Sequence, residues 1–132
     1  MSWLVDVYGA QVQSAGQSLG DRLQCAIAIS ALRVIAVNAE GKAIYADSSS
    51  PNPVIGLSIS AGNPDEFISF LPEGIWSDAG WNWDADQPLF LINDGLMSHT
   101  PPTSGYLQQV GYAKSSGAIV FSPDYESYLI QE

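Results

Sequence analysis

The sequence predicts an all-β fold, mainly antiparallel: a small β-barrel, a β-tulip or a sandwich, preceded by an extended N-terminal arm. Three observations lead there. From residue 32 onward, short runs rich in Val, Ile, Tyr, Phe and Trp recur, with turn residues between them every several positions. Asn93-Asp94-Gly95 is a strong hairpin signal, and Ala39-Glu40-Gly41-Lys42 is a second turn between two β-prone runs. Pro-containing polar loops punctuate the rest. Eight to ten short strands at that spacing suit a sandwich or a small barrel.

Residues 1–28 read as an arm and 29–132 as the β domain. The arm is rich in Gln, Ser, Gly and Ala, and Gly9, Gly16 and Gly20 oppose a continuous helix, since each costs about 1 kcal/mol relative to Ala. A short helix over Asp21–Ala31 is the alternative for its end. The domain opens with Leu32–Asn38 and Ala43–Ala46 as a hairpin. Asp47–Pro53 is a loop, Val54–Ile59 a strand, and Glu66–Leu71 another, closed by Pro72-Glu73-Gly74. Ile75-Trp76 leads into a loop holding Trp81 and Trp83, and Pro88–Ile92 is the strand before the Asn93-Asp94-Gly95 turn and Leu96–Ser98. Tyr106–Ala113 and Ala118–Phe121 form a last strong pair, and Tyr125–Ile130 alternates as a final strand.

Composition places the chain among single globular domains. Its 132 residues are 46 % hydrophobic and 11 % aromatic, enough for a real core. Fourteen Asp and Glu face four Lys and Arg, for a formal charge of −10. The cations Arg22, Arg33, Lys42 and Lys114 are scattered. Such a surface repels nucleic acid and anionic membrane, so neither is expected as a partner. One cysteine, Cys25, lies in an apolar run and reads as a buried, inert thiol. The N-terminal residues carry no signal-peptide pattern, and no apolar run reaches the roughly 20 residues of a membrane span; synthesis in a cytoplasm is expected.

No catalytic constellation emerges, so no enzymatic activity, cofactor or metal is expected. The single histidine, His99, reads as a surface loop residue, and neither a nucleophile-elbow nor a phosphate-loop sequence occurs. Asp78, Asp84 and Asp86 lie among Trp76, Trp81 and Trp83. The plain reading is packing of the indoles in the core or at a subunit contact, with solvated acids. A stacked glycan, a glycosidase carboxylate pair and a Ca²⁺ site are the alternatives.

The segment from Ala31 to Ser122 resembles the small bacteriophage head proteins that decorate, or cement, an assembled capsid. The likeness rests on an ordered set of elements: Ala31–Val37, Gly41-Lys42-Ala43, Ala46-Asp47, Val54–Ser58, Trp81-Asn82-Trp83 before Pro88–Leu91, then Gly95-Leu96. Its most distinctive part is Thr100-Pro101-Pro102-Thr103-Ser104-Gly105-Tyr106, running into Gln108-Gln109-Val110-Gly111-Tyr112-Ala113. The resemblance implies a β-barrel or tulip domain, a homotrimer seated on the capsid exterior where subunits of the major capsid protein meet, and a cementing function in the virion. The arm, through Trp3, Leu4, Val5 and Tyr8, is expected along the capsid protein or a neighbouring subunit. Trp76, Trp81, Trp83, Phe90 and Tyr106 are the candidate trimer or aromatic contacts. Related modules in phage fibres and tails make glycan binding at the host surface the alternative function.

Overall fold

A computed structural model describes residues 21–50, 52–124 and 126–130, and these are all-β, with no helix among them. The first sheet has the order β1 (Asp21–Gln24), β5 (Phe67–Leu71), β4 (Val54–Ser58), β2 (Val34–Val37), β3 (Ala43–Tyr45). The second has the order β6 (Gly74–Ser77), β11 (Ala118–Phe121), β10 (Gln109–Ser115), β7 (Pro88–Leu91), β8 (Met97–Ser98). A small third sheet pairs β9 (Tyr106–Leu107) with β12 (Tyr128–Leu129). Every paired strand is antiparallel, as short hairpin-type connections require. The two large sheets face each other as a sandwich, and no barrel closes among the described residues.

Side-chain alternation decides what each sheet buries. Val34 and Ala36 of β2, with Val54 and Leu57 of β4, meet Leu89, Leu91, Val110, Ile119 and Phe121 of the second sheet in the layer between the sheets. The intervening Ile35 points the other way and joins Cys25, Ile29, Ala43, Ile68 and Phe70 in a second core on the far face of the first sheet. Residues 25–31 cross that face and cover it. Cys25 bridges to Ala43, and Ile29 exchanges backbone hydrogen bonds with Gly62. The fully buried Ser58 ties this crossing down: its hydroxyl donates to Ser30 O at 2.7 Å and accepts from Arg33 N at 3.0 Å. Among the described residues, the first sheet is therefore covered on both faces and the second on one.

The turn between β7 and β8 joins the sheets through backbone. Val34 N donates to Gly95 O at 2.8 Å, Gly95 N to Ala46 O at 2.6 Å, and Ala46 N to Val34 O at 3.0 Å. Arg33 Nη1 donates to Asp94 O at 2.8 Å, and its guanidinium lies 5.1 Å over the Tyr45 ring. Asp47 completes the junction by accepting from Ser49 N, Ser49 Oγ and Asp94 N. Gly95 has φ +73, and a Cβ there would stand 2.6 Å from Val34 O, so only glycine fits.

Several expectations change. The segment 21–28, assigned to the arm, belongs to the domain: β1 pairs with β5 from Asp21↔Phe70 to Gln24↔Phe67, and Cys25 is fully buried. The helical alternative over Asp21–Ala31 gives way to this strand because the open edge of β5 offers a ladder and Leu23 and Cys25 share one face. Ile75-Trp76 is part of a strand, β6. The single run Tyr106–Ala113 breaks at Gln108, which is buried and donates to Asp124 O at 2.6 Å, splitting it into β9 and β10. Trp3, Leu4, Val5 and Tyr8 lie outside the described residues.

The junction yields two expectations. Gly95→Ala lowers unfolding free energy by at least about 2 kcal/mol, because it adds a left-handed non-glycine residue and a backbone clash; urea titration reads the loss. Burial pushes the Asp47 carboxyl up, but the hydrogen bonds from Ser49 and Asp94 outweigh it, leaving its pKa below the usual aspartate value. The unfolded chain then takes up the proton first, at about pH 3.9. Stability from Asp47 is thus complete above about pH 4 and is lost as pH falls through the lower folded value. Asp47→Asn flattens that part of the acid-unfolding curve; an unchanged acid limb would contradict the assignment.

Candidate interaction surface

The outer face of the second sheet, which no described residue covers, carries an ordered row of apolar side chains. Ile75 of β6 stands opposite Val120 of β11, Val120 opposite Tyr112 of β10, and Tyr112 opposite Pro88 of β7. Directly opposed residues share a face, so these four side chains form one row across four strands, about 14 Å long. Ile75 is 58 % and Tyr112 44 % exposed, too open for core residues. Phe90, two positions along β7 from Pro88, lies on the same face, while its neighbours Leu89 and Leu91 point into the core.

Negative charge is absent from the strands that make this face. The five strands of the second sheet contain no Asp or Glu, and Lys114 is their single charged residue. Among the described residues, every acid but Asp21 lies in a connection between strands. Asp78, Asp84, Asp86 and Asp124 stand in the loops that flank these strands. An apolar centre depleted of charge within a polar rim is the usual anatomy of a protein–protein contact.

The tryptophans form the margin of the core. Trp76, Trp81 and Trp83 are half-buried and pack against the layer between the sheets. The Trp81 and Trp83 rings lie 6.2 Å apart at 55°, and Trp83 meets His99 edge-on at 5.2 Å. His99 is half-buried instead of lying free on the surface. Its Nδ1 donates to Pro88 O at 2.9 Å, because a carbonyl can only accept, and its Nε2 accepts from Asp84 N at 2.9 Å. That pair of bonds fixes the neutral Nδ1–H tautomer and pins the Trp83 loop to β7. The indole N–H of Trp83 is buried with no hydrogen-bond partner among the described residues.

The five candidate aromatics thus separate. Trp76, Trp81 and Trp83 gather at the core margin, Phe90 stands on the outer face, and Tyr106 lies in β9, its N–H donating to Ser48 O at 2.7 Å. Asp78 caps its own turn by accepting from Gly80 N, and Asp86 occupies a left-handed turn position. The residues that sequence reasoning missed are Ile75, Tyr112 and Val120, together with the exposed pair Tyr128 and Leu129. A signal existed: Pro88–Leu91 and Ala118–Phe121 are apolar at successive positions, so either pleat places an apolar set outward.

The reactive groups are occupied. Burial pushes the Cys25 thiol up, helped by the nearby Glu66 carboxylate, which keeps it protonated. The hydrogen bond to Glu126 and the carboxylate's charge push the exposed Tyr128 phenol up. No group of three or more metal-ligating side chains occurs among the described residues. The outward apolar row can bind another surface through shape and buried area. No protein-family model matches the chain, and no curated protein matches it.

His99→Phe keeps the aromatic contact with Trp83 but removes both ring hydrogen bonds. It should cost about 1–2 kcal/mol and red-shift tryptophan emission as the Trp83 loop loosens. Nitrogen-15 chemical shifts of the wild-type imidazole should show Nδ1 protonated and Nε2 bare; the opposite tautomer would contradict the network.

Proposed function

We propose that the protein is a structural component of a phage virion: a cement protein that seats on the outer surface of the capsid as a homotrimer and stabilises the shell. One observation supports this most. An acidic chain keeps one sheet face free of carboxylates and lines it with Ile75, Val120, Tyr112, Pro88 and Phe90. Covering such a face against another protein subunit removes apolar surface from water at about 25 cal/mol per Å², and the acidic loops keep unspecific association low. The resemblance in order of elements to capsid decoration proteins supports the choice of partner, major capsid protein at the junctions between capsomers. Repetition around a shell multiplies modest contacts by avidity.

Tyr112→Glu and Ile75→Glu place a charge in the row at positions already open to water, so the fold tolerates them. Each should reduce co-sedimentation with expanded shells of the major capsid protein at least tenfold, while thermal unfolding stays within a few degrees of wild type. Wild-type protein that fails to sediment with shells would overturn the cement reading, and sedimentation unaffected by both charges would remove the outer face from the contact.

A further inference from the structure

The two cores of this fold have no residue in common among the described residues. The layer between the sheets is built mainly from β2, β4, β7, β10 and β11. The core on the far face of the first sheet is closed from outside by residues 21–31. This segment joins the edge of β5 as β1 and then crosses the sheet, with Cys25 and Ile29 as its buried side chains. Beyond β1 it is held by backbone bonds to Ala43, Gly62, Asp65 and Glu66 and by the side chains of Ser58 and Tyr45. All of these partners lie in the first sheet or its connections.

The attachment changes at Leu32. Its φ is +65, a left-handed backbone that a residue with a side chain adopts only at a cost. Its side chain packs with the layer between the sheets, not with the core that residues 21–31 close. Arg33 follows at once and belongs to the junction, through Asp94 O. Releasing residues 21–31 would break one ladder and uncover Ile35, Ile68 and Phe70, yet leave every member of the inter-sheet layer in place. It would also let Leu32 relax. Sub-global openings follow such boundaries between cooperative units.

We propose that residues 21–31 are a strap that opens as a unit about Leu32 while the sandwich stays folded, so that the far face of the first sheet can be hidden or bared. Tyr45 is the latch. Its hydroxyl accepts from Ser30 N at 2.8 Å, and its ring carries the Arg33 guanidinium, which donates to Asp94 O. Closure of the strap is thereby tied to the junction between the sheets. The inference stands independently of the capsid reading, since it concerns the protein free in solution.

Cys25, the single cysteine of the sequence, is fully buried when the strap is closed and reports its opening. Labelling of this thiol in the native full chain is followed against urea. Opening of the strap alone exposes much less surface than unfolding, so the urea slope of labelling should lie well below that of equilibrium unfolding. Val110→Ala separates the two routes, because Val110 lies in the layer that stays folded whether the strap is closed or open. It should raise the equilibrium constant for global unfolding roughly tenfold or more, while labelling without urea stays within about twofold of wild type. Ile119→Val, a smaller cut in the same layer, makes the same comparison should Val110→Ala fail to fold. Tyr45→Phe removes the acceptor of Ser30 N and should speed labelling roughly fivefold; unchanged labelling would overturn its role as the latch. Labelling that carries the full urea slope, or that accelerates in the layer variants as much as global unfolding does, overturns the strap.

Discussion

The fold depends on a backbone junction that joins its two sheets at one point. Three hydrogen bonds link Val34, Ala46 and Gly95, with Arg33, Asp47 and Asp94 around them. Because backbone groups make the closure, its geometry leaves no room for a side chain at position 95. The junction sets the distance and the angle at which β2 faces β7. That alignment brings Val34 and Ala36 against Leu89 and Leu91, and the rest of the layer follows. The apolar layer supplies most of the favourable energy and the junction its register, as expected when non-directional burial is combined with directional bonds.

Asymmetric covering of the sheets links this architecture to binding. Residues 25–31 lie over the far face of the first sheet, so Ile35, Ile68 and Phe70 are core residues. Nothing among the described residues does the same for the second sheet. Its outward row is as apolar as strand propensity demands, yet it meets water at Ile75 and Tyr112. A monomer would gain solubility from charge there, and the chain has acids in abundance. They stand instead in the loops. The tryptophans, by contrast, pack against the core margin, and His99 holds the Trp83 loop in place.

Much of the fold was legible in sequence because the informative patterns are local. Alternation and turn chemistry located the hairpin Leu32–Ala46, the strands beginning at Val54 and Pro88, and the turn at Asn93-Asp94-Gly95. Charge and composition set an expectation against nucleic-acid and anionic-membrane partners that rests on electrostatics alone. The failures share one cause. β1 exists because the β5 edge is available to it, β6 because β11 recruits it, and Gln108 interrupts a β-prone run because a carbonyl from the distant residue Asp124 accepts its amide. The role of His99 was hidden for the same reason, since its partners Pro88 and Asp84 come together only once the Trp83 loop folds back.

By itself, then, the sequence determined an all-β chain with acidic loops, glycines where turns need them and apolar residues at successive positions in its strands. Those properties are set by the conformational and solvation preferences of single residues and near neighbours. Only the tertiary structure decided which of two equally apolar strand faces is buried. A strand such as Ala118–Phe121 is hydrophobic on both sides, and it is the placement of the opposing sheet, fixed by long-range backbone bonds, that sends Ile119 and Phe121 inward and leaves Val120 in the outer row with Tyr112.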